Sequence, residues 1–452
     1  QAEIQRQLLP AMLGWFADAP NPDSGLLAFR QVSDVLGNTP WYLRALRDEG
    51  TMAARLARIL ASSRYAVQLL TRAPQTVQML ADDAELRPRN REDLQAEMAV
   101  AGARQDTPKA GVEAIRAIRR RELFRVAAAD ILGELDVLEV GAALSDLASA
   151  TIDATLAVVR DSMEQPVPRI AAIAMGRWGG REMSYASDAD AMFVMDDSTG
   201  DSDPTKLATA VITEMRRLLA QPGVDPTLSI DADLRPEGKG GALVRSLSAY
   251  RNYYSRWSST WELQALVRAD AQAGPEDLGA ALMAEIDARR WPEGGLTAAQ
   301  LSEIRKLKAR VEAERLPRGA DPAKHTKLGP GGIADVEWTV QLLQLQHAHR
   351  IPALRSSQTI VALRAAREAG VIDPMDAGHL EAAWILAGRI RNQIMLMRGR
   401  GSDSLPSDNR ELAGVAELLG YRAGESSHLL ADYRRITRRA RLVVDRVFWG
   451  SG

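Results

Sequence analysis

The sequence predicts a mostly α protein with an α/β core flanked by helical bundles. Apolar residues recur at steps of three and four along both ends of the chain. Short apolar segments of strand character are confined to the middle. One of them follows a turn with paired glycines and opens on an Asp-x-Asp, within Ala174 to Asp197. The change of character divides the chain into residues 1–104, a helical bundle; 105–290, a compact α/β domain; and 291–452, a second helical bundle.

In the first part, Leu26, Phe29, Val32 and Leu36 form one stripe, and Gly37-Asn38 is a helix terminator. Shorter helices are expected over Trp41–Asp48, Thr51–Ser62 and Ala66–Leu80, broken near Gly50, Pro74 and Pro88. In the middle part, helices are expected from Pro108 to Leu132 and from Leu138 to Met163. Strands are expected at Arg169–Ala174, Ala189–Met195 and Thr227–Leu234, with a helix at Thr205–Ala220 between the last two. Ser248–Ala269 reads as helical and aromatic-rich. In the last part, Leu380, Trp384, Ala387, Ile390, Ile394 and Met397 make one amphipathic stripe, and Leu429, Tyr433, Ile436, Ala440, Val443 and Val447 another. Gly329-Pro330-Gly331-Gly332 breaks the chain ahead of a helix.

Asp188 and Asp190 stand at i and i+2 of a strand and so share a face. Two adjacent carboxylates repel each other, and burying them unpaired is costly. A divalent cation removes both problems, and Mg²⁺ is commonly held by one or two carboxylates plus substrate phosphates. Gly179 and Gly180 could bring backbone N–H groups close to a phosphate, and the Ser187 hydroxyl could add a donor. Asp231 and Asp233 repeat the i, i+2 pattern on another strand. One carboxylate from there would complete a site for two metal ions. Arg235 and Lys239 could meet phosphate oxygens. The same stretch would also suit a solvated hairpin end closed by a salt bridge. In Ser259–Asp270, Glu262, Gln264 and Arg268 suit a structural role, with Trp261 in the core, at least as well as a catalytic one. Gly331-Gly332 resembles a phosphate-binding helix start but lacks P-loop order. Asp335 and Glu337 there also suit the helix dipole alone.

Bulk properties remove several function classes. The chain has 452 residues, 46% hydrophobic and 26% charged, the balance of an ordinary globular protein. Its formal net charge of −2 gives no general pull toward nucleic acid or anionic membranes. The absence of cysteine excludes disulfides and thiolate chemistry. His325, His347, His349, His379 and His428 form no metal-binding spacing. There is no unbroken apolar run long enough to cross a membrane. The first residues lack the pattern of a secretion signal, so a cytoplasmic location is expected. The chain opens on Gln rather than Met and reads as cut from a longer polypeptide.

The order of GRWGGREMSYASDADAMFV, DADLRPEGKGGALV, WELQALVRAD and GPGGIADVEW resembles the glutamine synthetase adenylyltransferase family. These enzymes attach AMP to glutamine synthetase and remove it. YLRALRDEGTMAARLARILASS is similar to the family as well, so the resemblance spans most of the chain. It implies a DNA polymerase β-like nucleotidyltransferase domain between helical bundles, using ATP and two Mg²⁺ ions. It also implies that Asp188, Asp190 and Asp231 are the catalytic metal ligands, and that Gly179, Gly180, Ser187 and Arg235 bind the nucleotide. The family commonly has Arg in place of Asp233, which leaves open which of Asp231 and Asp233 faces the metals. WELQALVRAD and RLVVDRVFWG resemble the C-terminal, adenylylating half. The implied partners are glutamine synthetase as protein substrate, with the PII signalling protein and glutamine as regulators. No nucleic acid and no membrane are expected. The rival readings are the phosphorolytic, deadenylylating half and a non-catalytic nucleotide-sensing module.

Overall fold

The computed structural model describes residue 10 and residues 12–17, 22–36, 39–48, 50–197, 203–257 and 259–450. The expected terminator at Gly37-Asn38 lies outside these. Helices Pro22–Leu36, Pro40–Asp48, Gly50–Ser62 and Arg64–Arg72 follow one another closely, and a 3₁₀ segment, Pro74–Ala81, replaces the end of the expected Ala66–Leu80 helix. Pro74 cannot continue the α ladder, and this sets the break.

Two 25-residue helices, Pro108–Leu132 and Val137–Asp161, form the platform beneath the sheet. Their boundaries are written in the caps. The Thr107 side chain accepts from the Ala110 N–H ahead of Pro108, and Gly133 closes the helix with φ of +83°. Asp136 and Glu139 make a capping box for the second. By length and mean hydropathy (1.4) Val137–Asp161 could cross a membrane, although Ser, Thr and Asp interrupt its apolar residues so that it holds no unbroken apolar run. In the fold, 72% of its apolar window is buried against neighbours.

The sheet is small and mixed. Strand β1 (Ile170–Ala174) pairs antiparallel with β2 (Ala189–Met195) and with β5 (Asp270–Ala273). β2 also pairs in parallel with β3 (Ile230–Asp231) and β4 (Val244–Ser246). Both faces of the central strands are covered, so apart from Asp190 at the mouth of β2 these strands are apolar rather than alternating. Ile170, Ala172, Ala174 and Phe193 face the long helices and Pro204–Ala220. Ala171, Ile173, Met192 and Val194 face Tyr250 and Tyr254 of helix Leu247–Arg256 and Leu278, Leu282 and Ile286 of helix Glu276–Arg290. The expected strand over Thr227–Leu234 is reduced to Ile230–Asp231, because the chain turns at Ala232. Strands β4 and β5 were not foreseen; Asp270–Ala273 carries the polar Asp270 and Gln272, which hides it from an apolar search.

The closing helices Ile333–His347, Thr359–Glu368, Pro374–Arg398, Asn409–Leu418 and Ser426–Val447 enclose a second core around Trp384, Leu380, Ile390 and Tyr433. Pro374–Arg398 touches both cores. Ser63 Oγ donates to the Leu396 carbonyl at 2.7 Å, and Gln393 donates to the Asp130 carboxylate at 2.9 Å.

Candidate metal and nucleotide site

The carboxylates gather where β1 ends and β2 begins, beside β3. Asp190 stands directly opposite Asp231 in the parallel register, and Asp188 is two residues earlier on the same face. The Met175 N–H donates to the Asp190 carbonyl at 2.8 Å and the Ala189 N–H to the Ser229 carbonyl at 2.9 Å, which fixes the mouth of β2 between its neighbours. Oxygens of Asp188, Asp190 and Asp231 lie within 4.8 Å of one another, the one such three-ligand cluster among the described residues. Burial first, then the charges of Asp188 and Asp231, push the Asp190 carboxyl up to about 7, against the pull of Lys327 and Arg268. That repulsion is the quantity a divalent cation would relieve, so the donor set fits a hard metal ion.

The structure separates Asp231 from Asp233. Asp231 Oδ1 accepts the Asp233 N–H at 2.7 Å and turns into the cluster. The Asp233 carboxylate instead pairs with Lys239 at 3.2 Å and Arg235 at 3.8 Å.

The turn after β1 is anchored from below. The Trp178 indole is buried, and its Nε1 donates to Ser149 Oγ at 3.0 Å. Arg181 grips Asp146 through both guanidinium nitrogens at 2.6 and 2.8 Å. Gly176, not singled out in the sequence, is the glycine that abuts the carboxylates. Its φ is +53°, and a Cβ there would lie 2.2 Å from Asp190 Oδ2. Gly176→Ala is therefore expected to destabilise the fold by about 1–3 kcal/mol and to displace Asp190. A thermal melt and a Mn²⁺ titration check it; unchanged stability together with unchanged metal affinity would refute it.

Three of the expected phosphate contacts have other partners in the fold. The Gly179 N–H is spent on the Met175 carbonyl and the Gly180 N–H on the Gly176 carbonyl, so neither is free for a phosphate. Both glycines are buried, and their missing side chains make room for Arg268: its carbonyl would lie 2.0 Å from a Cβ at Gly179, and its guanidinium 2.1 Å from one at Gly180. Arg235 is also occupied, donating to the carbonyls of Ala232, Lys239 and Gly241 at 2.7–2.9 Å and so fastening its own loop. Ser187 alone of the four lines the cleft, where its hydroxyl accepts the Ser184 N–H.

Arg268 lies at the centre of a buried ion network. It pairs with Glu182, and at 2.9 Å with Glu337. Glu182 also accepts the Thr359 N–H and, at 3.0 Å, the Thr359 hydroxyl. Arg177 donates to the Glu182 main-chain carbonyl at 2.7 Å and feels the charges of the Glu182 and Glu337 carboxylates. Three of the sequence motifs thus converge on one packed cluster behind the carboxylates. Glu262 forms a capping box with Ser259 and accepts from Tyr253 at 2.7 Å, a structural task. Trp261, expected in the core, is 37% exposed, because its helix Thr260–Leu266 buries Leu263 and Leu266 instead. Asp335 accepts the Gly331 N–H and pairs with Lys308 and Arg441, which ties the glycine break into the last bundle.

A cleft of about 420 Å³ opens over Asp188 and Asp190. Its lining includes Ser187 together with Arg177, Lys327 and Arg391, three cations to which the sequence had assigned no binding task. The arrangement can hold a divalent cation against the carboxylates and an anion beside it.

A sheet fragment embedded in helices, with a carboxylate trio at its edge, accords with what the comparisons return. A family profile described as glutamate-ammonia ligase adenylyltransferase matches residues 53–285, about half of the chain. A second, GlnD PII-uridylyltransferase, matches residues 305–448. Relatives named bifunctional glutamine synthetase adenylyltransferase/adenylyl-removing enzyme include one from Cutibacterium acnes, 54% identical over 99% of this chain and 45% of its own length. Another, from Streptomyces coelicolor, is 53% identical over 99% of this chain and 47% of its own. A third, from Mycolicibacterium smegmatis, is 45% identical over 100% and 46%. The chain spans about half the length of these relatives. It belongs to the glutamate-ammonia ligase adenylyltransferase family.

Proposed function

We propose that this chain is an ATP-dependent protein adenylyltransferase acting on a tyrosine hydroxyl of glutamine synthetase. The acceptor oxygen displaces pyrophosphate from the α-phosphorus of ATP and loses its proton. The carboxylate trio where β2 begins beside β3 is the observation that carries this reading, supported by the names of the relatives. In this reading residues 105–290 form a DNA polymerase β-like domain, with helical bundles over 1–104 and 291–452 presenting the partner. The motifs favour the adenylylating half.

Asp188, Asp190 and Asp231 are the residues that would hold Mg²⁺, with two ions as the expected number. When bound, such ions supply charge neutralisation at the phosphates and at the attacking and leaving oxygens. The chain's own contribution is placement. The β2–β3 register holds Asp190 and Asp231 face to face, and Gly176 lets the backbone close over Asp190. Asp231, nearest the acceptor in this reading, takes up its proton. Little covalent work falls to the protein; positioning dominates such transfers. PII and glutamine are the proposed regulators, and the PII-uridylyltransferase match over 305–448 accords with the first.

The test is incubation with unmodified glutamine synthetase and ATP labelled at the α-phosphate. Label on the acceptor supports transfer. Absence of label, with ADP released from modified glutamine synthetase in the presence of phosphate, assigns the removing reaction instead. Asp231→Asn is expected to lose transfer by roughly 100-fold or more, whereas Asp233→Asn stays near the parent rate. The reverse order would reassign the third ligand.

A further inference from the structure

The cleft is electrically divided. Asp188 and Asp190 occupy one wall, and the third lining carboxylate, Asp403, is paired with Arg391 on the other. Arg177, Lys327 and Arg391 line the same space from the turn after β1, the loop before helix Ile333–His347 and helix Pro374–Arg398. Among the described residues, neither Asp188 nor Asp190 forms an ion pair with any of the three cations. The Nη1 of Arg177 and the Nη1 of Arg391 are buried without a hydrogen-bond partner. Leaving such donors unpaired is costly unless something else satisfies them. The two guanidinium groups also repel: burial first, then Arg391, lowers the Arg177 value to about 10.

Two of the three cations are held in place through Asp403, and Arg177 through the Glu182 carbonyl. Arg391 Nε donates to the Asp403 carboxylate at 2.7 Å. The Asp403 carbonyl accepts the Thr326 N–H at 2.6 Å and the Thr326 hydroxyl at 2.8 Å, which fixes the neighbouring Lys327. The Lys327 side chain is exposed, and its ammonium has no hydrogen-bond or ion-pair partner among the described residues. Cations fixed beside a metal-binding trio, with donors to spare, match a polyanion that bridges both walls.

We propose that Arg177, Lys327 and Arg391 bind the β- and γ-phosphates of the nucleoside triphosphate and then the departing pyrophosphate, the task expected of Gly179, Gly180 and Arg235. This rests on the adenylyltransferase reading for the triphosphate, and on the residues alone for the polyphosphate. The last bundle therefore completes the nucleotide site rather than merely flanking it.

Calorimetric titrations of the whole chain with Mg·ATP, inorganic pyrophosphate with Mg²⁺, and AMP provide the test. Lys327→Gln is expected to weaken Mg·ATP and pyrophosphate by roughly 10-fold, and to leave AMP within about twofold. Lys327→Glu should weaken both polyphosphates further, and Lys327→Arg should recover much of the loss. Melting temperatures should not move, since the side chain is exposed and unpaired. If wild type binds Mg·ATP and Lys327→Gln binds it equally well, the basic wall is refuted while the adenylyltransferase reading stands. An equal loss for AMP also refutes it. Pyrophosphate binding without Mg·ATP binding supports the wall and counts against the reading; binding of neither overturns both.

Discussion

Asp190→Asn is expected to abolish AMP transfer, by on the order of 10³-fold, while making the metal-free protein more stable near neutral pH. The carboxyl is carried from its ordinary 3.8 up to about 7 by burial and by the charges of Asp188 and Asp231. Between about pH 4 and 7 the folded, metal-free chain keeps a proton that the unfolded chain has lost, so stability falls as pH rises through that window and levels off above it. The total cannot exceed roughly 4 kcal/mol. Asparagine removes the titration. Its advantage in thermal melts with chelator should be present at pH 8 and absent at pH 4. Added Mg²⁺ should then stabilise the wild type and not the variant. Near-normal transfer by the variant, or a variant less stable at pH 8, would contradict the placement of Asp190 against its two neighbours.

Arg268→Met should be the most damaging change to stability. The guanidinium lies between Glu182 and Glu337, and the side chains of Arg268 and Glu182 are only 5% and 4% exposed. Removing it strands two carboxylates in the interior, at a cost of about 3–5 kcal/mol. Arg268→Lys should recover only part of this, since one ammonium cannot reproduce a planar fork that reaches two partners. Urea denaturation midpoints read the effect, and adding Glu182→Gln to Arg268→Met should return part of the loss. A midpoint unchanged by Arg268→Met would remove the network from any account of how the motifs are held together.

What was legible in the sequence follows the range of the interaction involved. Helix limits were readable because caps and prolines are local: Thr107, Pro108 and Gly133 bound one helix within themselves. β1 and β2 were readable because both faces are covered and, Asp190 apart, the residues are continuously apolar. The Asp188–Asp190 pair was legible from its spacing alone. The choice of Asp231 over Asp233 needed the β2–β3 register, a fact about two distant segments. The paired glycines were rightly seen as a place of close approach, but what approaches is Arg268, nearly ninety residues on. Lys327 lay within a motif read for its glycines and acids, and Arg391 on a helix read for its apolar stripe; neither face announced a cleft.

The hydrogen bond from Ser63 to the Leu396 carbonyl joins positions 333 residues apart, and Glu182 meets Thr359 across 177. On a ribosome adding about 5–20 residues each second, Ser63 waits roughly 17 to 67 s for its acceptor. The newborn chain must keep its early helices soluble through that interval, and its basic wall is assembled only after Arg391 and Asp403 have been added.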